Sequence, residues 1–576
     1  MALLARDDGR SEVALETLPG TRSQPVAFAL LAGVPVLAAA WMLMSTGRVL
    51  SHEMTWDFLF NLAGAWHLHH GHVAHVDFHD PVGQLNFLLT AFGFRLVGPT
   101  PLAFVVGNLF FALATFVAAS LTAWRRLPLL PTVIFVVFAS LLVLMPANVG
   151  DPPNAYSFAM SYNRYGWSAL SILVLILFLP SSRSSHVGDA LDIAVAGLLM
   201  VALFYLKMTY FAAALAALGL ALLFYPHVRE RGPAWLAVGG LVVANALAPH
   251  SRPYLLDIWN AAEAGQIRGG LGVHLNTFFT AAEGYAAYAA GLVVAVWLWW
   301  EGRTPLRLPI AVAFLLVIGM FLLTQNHQTQ GVPLGVMIAF LLYDQFRQRP
   351  SGGRLAAAVP AFALMVFPLA SIGMSSLSLA GYFLNAGRDE RLRVVDHTQL
   401  KGLAVPAEPP GLLAAFASGT GDHTLLNRAR VLRPRHELSP SEYVETLLEA
   451  ASLFDDGRRP SSGIVVLDQV NPLPFMLGVA PPKGGALWSG WGVPVRPVAE
   501  IFADADHVLI PKFSTYSPWT EEAMRAYGAY LSQHFQHREE TQSWIVLSRD
   551  DANVTPPPPT GKGDFDLQLG LLPDLN

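Results

Sequence analysis

The chain contains no cysteine. A disulfide framework, a cysteine-based metal site and a thiol nucleophile are thereby excluded. Charge is scarce as well: only 13% of the 576 residues are Asp, Glu, Lys or Arg, while 53% are hydrophobic. An ordinary soluble domain carries about a quarter charged residues, so this balance belongs to a chain that meets lipid. Nor is there an excess of positive charge. The formal net charge is -5 and no basic stripe runs along the sequence, so nucleic acid is not an expected partner. The polar N-terminus lacks the basic region, short apolar core and small-residue cleavage site of a secretory signal. The apolar run that follows is expected to stay in place as an anchor.

What the chain has is a block of apolar runs and then a polar tail of ordinary composition. A membrane-spanning helix needs roughly 20 mainly apolar residues. Eleven runs are candidates, at 26–44, 101–123, 129–145, 165–179, 190–206, 208–225, 233–247, 276–300, 308–323, 331–346 and 355–372. The shorter ones make sense only inside a bundle. The expected fold is a polytopic α-helical membrane protein of about eleven transmembrane helices with a C-terminal soluble α/β domain. The divisions are a cytoplasmic tail over 1–25, a transmembrane block over 26–375 with its first outer loop at 50–100, a soluble domain over 376–550 and a Pro-rich disordered tail over 551–576. In the soluble domain helical periodicity covers 441–453 and 520–535, and short buried strands are predicted at 464–467, 508–510 and 544–547.

Basic residues in short loops set the direction. With the N-terminus inside, the cytoplasmic loops hold Arg125, Arg126, Arg183, Arg229, Arg231, Arg303, Arg307, Arg347, Arg349 and Arg354, and the opposite loops are longer and hold fewer basic residues. This orientation puts the C-terminal domain in the periplasm of a bacterial inner membrane.

The first outer loop carries the densest chemistry. Thr55-Trp56-Asp57-Phe58-Leu59-Phe60-Asn61-Leu62 opens a stretch to His70 that reads as a short amphipathic helix lying at the interface, with Thr55 as its cap and Gly71 as its stop. Asp77-Phe78-His79-Asp80-Pro81-Val82-Gly83 then breaks the chain ahead of a second apolar segment over 85–97, which Gly98-Pro99-Thr100-Pro101 ends. A carboxylate this close to hydrocarbon is costly and marks function, although Asp57 would also suit the positive end of its own helix.

This order of elements resembles the C superfamily of glycosyltransferases, the GT-C fold. Its pattern is an anchor helix, an acid on a juxtamembrane helix, a Gly, an Asp-Phe pair, a Pro and Gly break, and an apolar segment ending near Gly-Pro. Here those are Asp57, Gly71, Asp77-Phe78, Pro81 with Gly83, and Gly98-Pro99. The family's frequent acid pair is a single acid here, flanked by Trp56 and Phe58. The resemblance implies a hexosyl or pentosyl transferase among membrane lipids that takes its sugar from a polyprenyl phosphate. Asp57 would be the general base on the hydroxyl of a glycan or lipid acceptor, in one inverting step. Asp77, His79 and Asp80 are second-line substrate contacts.

Other residues are weighed on their own chemistry. Tyr162, Asn163 and Arg164 offer an aromatic, an amide and a guanidinium at the mouth of a span; Arg164 suits a lipid phosphate, or else snorkels to the interface. Lys207 interrupts two apolar runs and is a second phosphate candidate, or simply a loop position. Arg252 and Arg268 are weaker ones. His327, in a polar outer loop, is a candidate for sugar hydroxyls. No cofactor is demanded. A divalent metal ion is the one group that His67, His69, His70, His72, His75 and His79 could ligate with Asp77 and Asp80, the strand-like alternation of His75, Asp77 and His79 aligning them. Their spacing matches no closed motif, and polar loop contacts are the plainer reading. Asp504-Ala505-Asp506 spells an acid-x-acid pattern, but ahead of an apolar run instead of after a strand. Asp468 and Asn471 lie just past a predicted strand end. Two rivals stand beside the transferase: a transporter or metal-handling protein built on the histidines, and a non-catalytic envelope assembly factor.

Overall fold

The computed structural model describes residues 23–51, 54–153, 156–182, 185–265, 282–324, 332–347, 354–385, 392–407, 438–455, 462–490, 493–515 and 517–549. The chain is mostly helical. A helix lies over each of the eleven apolar runs: α1 (Ser23–Ser45), α4 (Leu102–Ala123), α5 (Leu129–Leu144), α6 (Ser161–Phe178), α7 (His186–Leu206), α8 (Met208–Phe224), α9 (Gly232–Leu247), α11 (Ala282–Trp300), α12 (Arg307–Thr324), α13 (Gly335–Arg347) and α14 (Arg354–Asn385). Two more, α2 (Thr55–His69) and α3 (Leu85–Val97), come from the first loop, and α10 (Arg252–Gly265) follows α9 at a bend of 56°. Among the described residues five helices are individually long and apolar enough to cross a membrane, or six if the bent pair is one span. Their outward faces explain why they need lipid. Leu198 and Leu241 are each 72% exposed and Leu377 is 74% exposed, and helices apolar on both faces are solvated only by hydrocarbon or by other helices.

α14 runs on to Asn385, past the boundary expected at 375. The serines there do not break it, because Ser376 Oγ returns its hydrogen bond to the Ile372 carbonyl (2.8 Å) within the helix.

The two ends of the bundle differ in chemistry. At the end where α4 stops, Arg126 is buried and donates to both carboxylate oxygens of Asp192 (3.1 and 2.7 Å) and to the carbonyls of Leu179 and Thr122. Arg125 also meets Asp192 (2.9 Å) and Asp189, and Arg231 meets Asp189. These arginines, expected as loop charges, are the staples that join α4, α6, α7 and α9.

At the other end the C-terminal part is sewn onto the first loop. β1 (Val49–Leu50) pairs in parallel with β3 (Leu403–Pro406), which pairs antiparallel with β2 (Leu392–Val394). The second sheet has the order β4-β5-β7-β6, made of Ile464–Val466, His507–Pro511, Trp544–Ser548 and His537–Glu540. α15 (Pro440–Asp455) and α16 (Ser517–His534) accompany it. Between β4 and β5 the chain reaches back to the loop. His79 N–H donates to the Gly485 carbonyl (3.0 Å), Leu487 N–H to His79 (3.0 Å) and Gly484 N–H to Asp77 (2.7 Å). Trp66 Nε1 donates to Val479 (2.7 Å). Phe60, Ala63, Phe78 and Phe87 share one apolar cluster with Val470 and Leu487.

This docking overturns the interfacial reading of the first loop helix. In α2, Asp57 through Trp66 are all buried, because the C-terminal segment covers the face that would otherwise lie against headgroups. Nor does Thr55 cap it. Met54 is the cap residue, in the left-handed region (φ 51°), and Thr55 Oγ1 instead bonds Ser51 Oγ at 3.0 Å. Gly71 ends the helix as expected, at φ +80°.

Candidate active site

The first turn of α2 carries Asp57, and a polar ladder sets its depth. Asn61 Nδ2 donates to the Asp57 carbonyl (3.0 Å), Asn86 Nδ2 of α3 donates to Asn61 Oδ1, and Ser161 Oγ of α6 donates to Asn86 Oδ1 (3.1 Å). Three helices are thus held by hydrogen bonds where apolar packing alone would allow sliding. Phe58 packs on Phe104 and Phe158 beside it. Asp57 is 8% exposed. Burial pushes its carboxyl up to about 7, against the opposing pull of the Met160 backbone N–H and the Arg164 guanidinium. Met160 stands at φ 50° as the cap of α6, which turns that N–H toward the carboxylate.

Arg164 is 1% exposed. Its Nη1 donates to Asn148 Oδ1 (3.3 Å) and the Ala159 carbonyl (3.2 Å), while Nε and Nη2 are buried with no acceptor among the described residues. An arginine with two idle, desolvated donors is costly unless something anionic arrives. Lys207 sits at the break between α7 and α8, with Nζ 3.4 Å from Asn163 Oδ1 and 5.3 Å from the Tyr162 ring centroid. The turn after Asp80 rests on the same break. Gly83 N–H donates to the Leu206 carbonyl (3.0 Å), and a Cβ on Gly83 would strike the Tyr205 carbonyl, so no other residue fits.

Asp80 is 2% exposed. Its Oδ1 accepts from Val82 N–H (2.6 Å), and its Oδ2 has no partner among the described residues. Burial, together with the carboxylates of Asp257 and Asp57, drives the Asp80 carboxyl well above its ordinary range, with Val82 N–H and Lys207 opposing. The structure therefore gathers Asp57, Asp80, Tyr162, Asn163, Arg164 and Lys207 around one spot.

Asp77 and His79 stand outside this group. Asp77 is engaged by Val73 N–H (2.8 Å) and Lys483 (2.9 Å), which hold its carboxyl below the ordinary range. His79 lies behind Asp80, bonded to Asp257. His327 and Arg268 lie outside the described residues. The histidine stretch is not a strand: His75 stands at φ 66° and its N–H closes a turn onto the Phe78 carbonyl (2.7 Å). The imidazoles are spent pairwise, His67 Nδ1 on His72 Nδ1 (3.0 Å) and His75 and His79 on Asp257. Among the described residues no three His, Asp or Glu side chains are arranged to hold a metal ion. In the C-terminal sheet Asp468 is fully engaged by Ser514, Thr515 and the Gln469 N–H, and Asp506 accepts from Ser462 Oγ (2.7 Å).

Two residues at the site went unnoticed in the sequence, Asp257 of α10 and Arg496 of the C-terminal part. Asp257 did leave a signal, as the single acid in the run Tyr254-Leu255-Leu256-Asp257-Ile258-Trp259. Arg496 left none.

No protein-family model matches the sequence, and a search of curated proteins finds no match. Solved structures overlay it over most of its length. ArnT from Cupriavidus metallidurans in the apo state covers 92% of this chain and 99% of its own, at 13% identity and a TM-score of 0.43. The same protein bound to undecaprenyl phosphate covers 93% and 100%, at 12% identity and 0.40. The oligosaccharyltransferase AglB from Archaeoglobus fulgidus, with an inhibitory peptide and a dolichol-phosphate, covers 85% and 70%, at 7% identity and 0.38. These overlays are loose.

Proposed function

We propose that the protein is an inverting glycosyltransferase that moves a sugar from a polyprenyl phosphate to a lipid-linked or cell-envelope glycan, working at the periplasmic face of a bacterial inner membrane. The observation that carries this reading is the pairing of a buried carboxyl poised near neutral pH, Asp57, with the idle guanidinium nitrogens of Arg164. A general base works best with a pKa near the ambient pH. A leaving phosphate needs buried cationic donors.

The step balances as follows. Asp57 takes the proton of the acceptor hydroxyl as its oxygen forms a bond to the anomeric carbon. The bond from that carbon to the phosphate oxygen breaks on the opposite face, and the phosphate leaves with the electron pair. Arg164 and Lys207 meet the charge that develops on it. Asp80, whose carboxyl burial pushes well above its ordinary range, meets a sugar hydroxyl with its unpartnered Oδ2.

Labelled polyprenyl-phosphate sugars, offered singly to membranes containing the protein, test the reading; no lipid- or glycan-linked product with any donor would sink it. Arg164→Met is expected to cost roughly 30-fold in transfer, the worth of one charge-assisted hydrogen bond at about 2 kcal/mol. Arg164→Lys should recover only part of this, because a point charge cannot replace the planar fork. Initial rates at saturating donor check both variants.

A further inference from the structure

We propose that Asp257 is a positioning residue of this site, and that through it the placement of Asp80 depends on the C-terminal part being seated. The inference rests on the transferase reading. Asp257 comes from α10, far in sequence from every element it touches. Its Oδ2 meets His75 Nδ1 (3.0 Å) and the Asp80 backbone N–H (3.2 Å), and its Oδ1 meets His79 Nδ1 (2.8 Å) and pairs with Arg496 Nη1 (3.9 Å). The first loop, α10 and the C-terminal segment thus converge on one carboxylate whose side chain is 6% exposed.

The tautomers follow from the partners. An ionised carboxylate only accepts, so both imidazoles carry their hydrogen on Nδ1. That leaves His79 Nε2 as an acceptor, and Arg496 Nη2 donates to it at 2.9 Å while also holding Glu500 (2.5 Å). A continuous relay therefore runs from Glu500 through Arg496 and His79 to Asp257, and ends on the Asp80 N–H. Asp80 is the next residue after His79, and Gly83 behind it is wedged on the Tyr205 carbonyl. The turn is pinned at both ends, by Asp257 at Asp80 and by α7 at Gly83.

Asp257→Asn keeps the shape but presents an NH2 edge to donors. At least one imidazole N–H or the Asp80 N–H then loses its acceptor, and the turn shifts. A displacement of about 1 Å at a reacting site costs about 100-fold in kcat while leaving KM for the donor within roughly twofold. A purely structural role would lower the folded fraction and the melting temperature together, without that split. Arg496→Gln is the second variant. It cuts the side-chain tie of the relay to the C-terminal part, leaves the backbone bonds of His79 with Gly485 and Leu487 in place, and should lower kcat about 10-fold, as one charged partner of the four is lost.

The experiment measures kcat, donor KM and melting temperature for the full-length wild type and both variants, and amide hydrogen exchange over 74–87. The expected result is the kcat loss at constant KM with faster exchange over 74–87 in both variants. Unchanged kcat in both would overturn the inference. If Asp257→Asn shows no folded transition, Arg496→Gln decides by the same criteria. If the wild type transfers no sugar from any donor, the transferase reading falls. The exchange data then stand alone: unchanged exchange overturns the positioning claim, and faster exchange sustains it.

Discussion

Asp57→Asn is expected to lower sugar transfer by about 10²- to 10⁴-fold, the usual contribution of a general base, and also to make the protein more stable. The second effect follows from the sign of the shift. The native carboxyl titrates at about 7, against 3.8 for the unperturbed group. Between those values the folded state holds a proton that the unfolded state has released, so stability falls as pH rises through the window. Above pH 7 the whole cost of an ionised buried carboxylate is present, up to about 4 kcal/mol for a three-unit shift. Asparagine keeps the bond from the Met160 N–H, carries no charge and escapes that cost. The difference in melting temperature between variant and wild type should be near zero at pH 4 and full above pH 7. Wild-type transfer should rise with pH and level off above about 7. A variant melting below the wild type at pH 8 would show that Asp57 is a structural carboxylate and not a strained base.

Arg126→Met is expected to destabilise the protein by about 3 kcal/mol without changing transfer per folded molecule. Removing one partner of a buried pair leaves the other uncompensated, which costs about 3–5 kcal/mol. The lower value applies because Arg125 still reaches Asp192 at 2.9 Å. The carbonyls of Leu179 and Thr122 lose their donor as well. Adding Asp192→Leu should recover about half of the loss, since an apolar pair of similar volume often replaces a buried ion pair without penalty. Transfer is spared because the 22 residues of α4 put about 33 Å between this network and Asp57. Thermal melts and rates normalised to folded protein check both parts. A fall in specific rate that tracks the fall in stability would mean the two ends of the bundle are coupled.

The eleven apolar runs were legible because hydrophobicity is a property of contiguous residues, and a helix lies over each. The strands at 464–466, 507–511 and 544–548 were legible for the same reason. β6, with the sequence His-Arg-Glu-Glu, was not, because an edge strand needs no apolar alternation once β7 supplies its hydrogen bonds. Asp57 stood out because a lone acid beside hydrocarbon is expensive wherever the chain folds. Its elevated carboxyl did not, since the burial that raises it comes from elements far along the chain packing around α2.

The sequence by itself determined where the long apolar helices form, that they are too apolar for water, and that the polar chemistry clusters in the first loop. Those properties depend on neighbours within one or two turns. The tertiary structure alone decided that α2 is buried instead of interfacial, that Val49 pairs with Leu403, that Arg126 is a staple rather than a loop charge, and that Asp257 and Arg496 stand behind Asp80. Each of these joins residues tens to hundreds of positions apart. A buried charge is tolerable only when its partners are in place, and nothing local in the chain says which partners those will be.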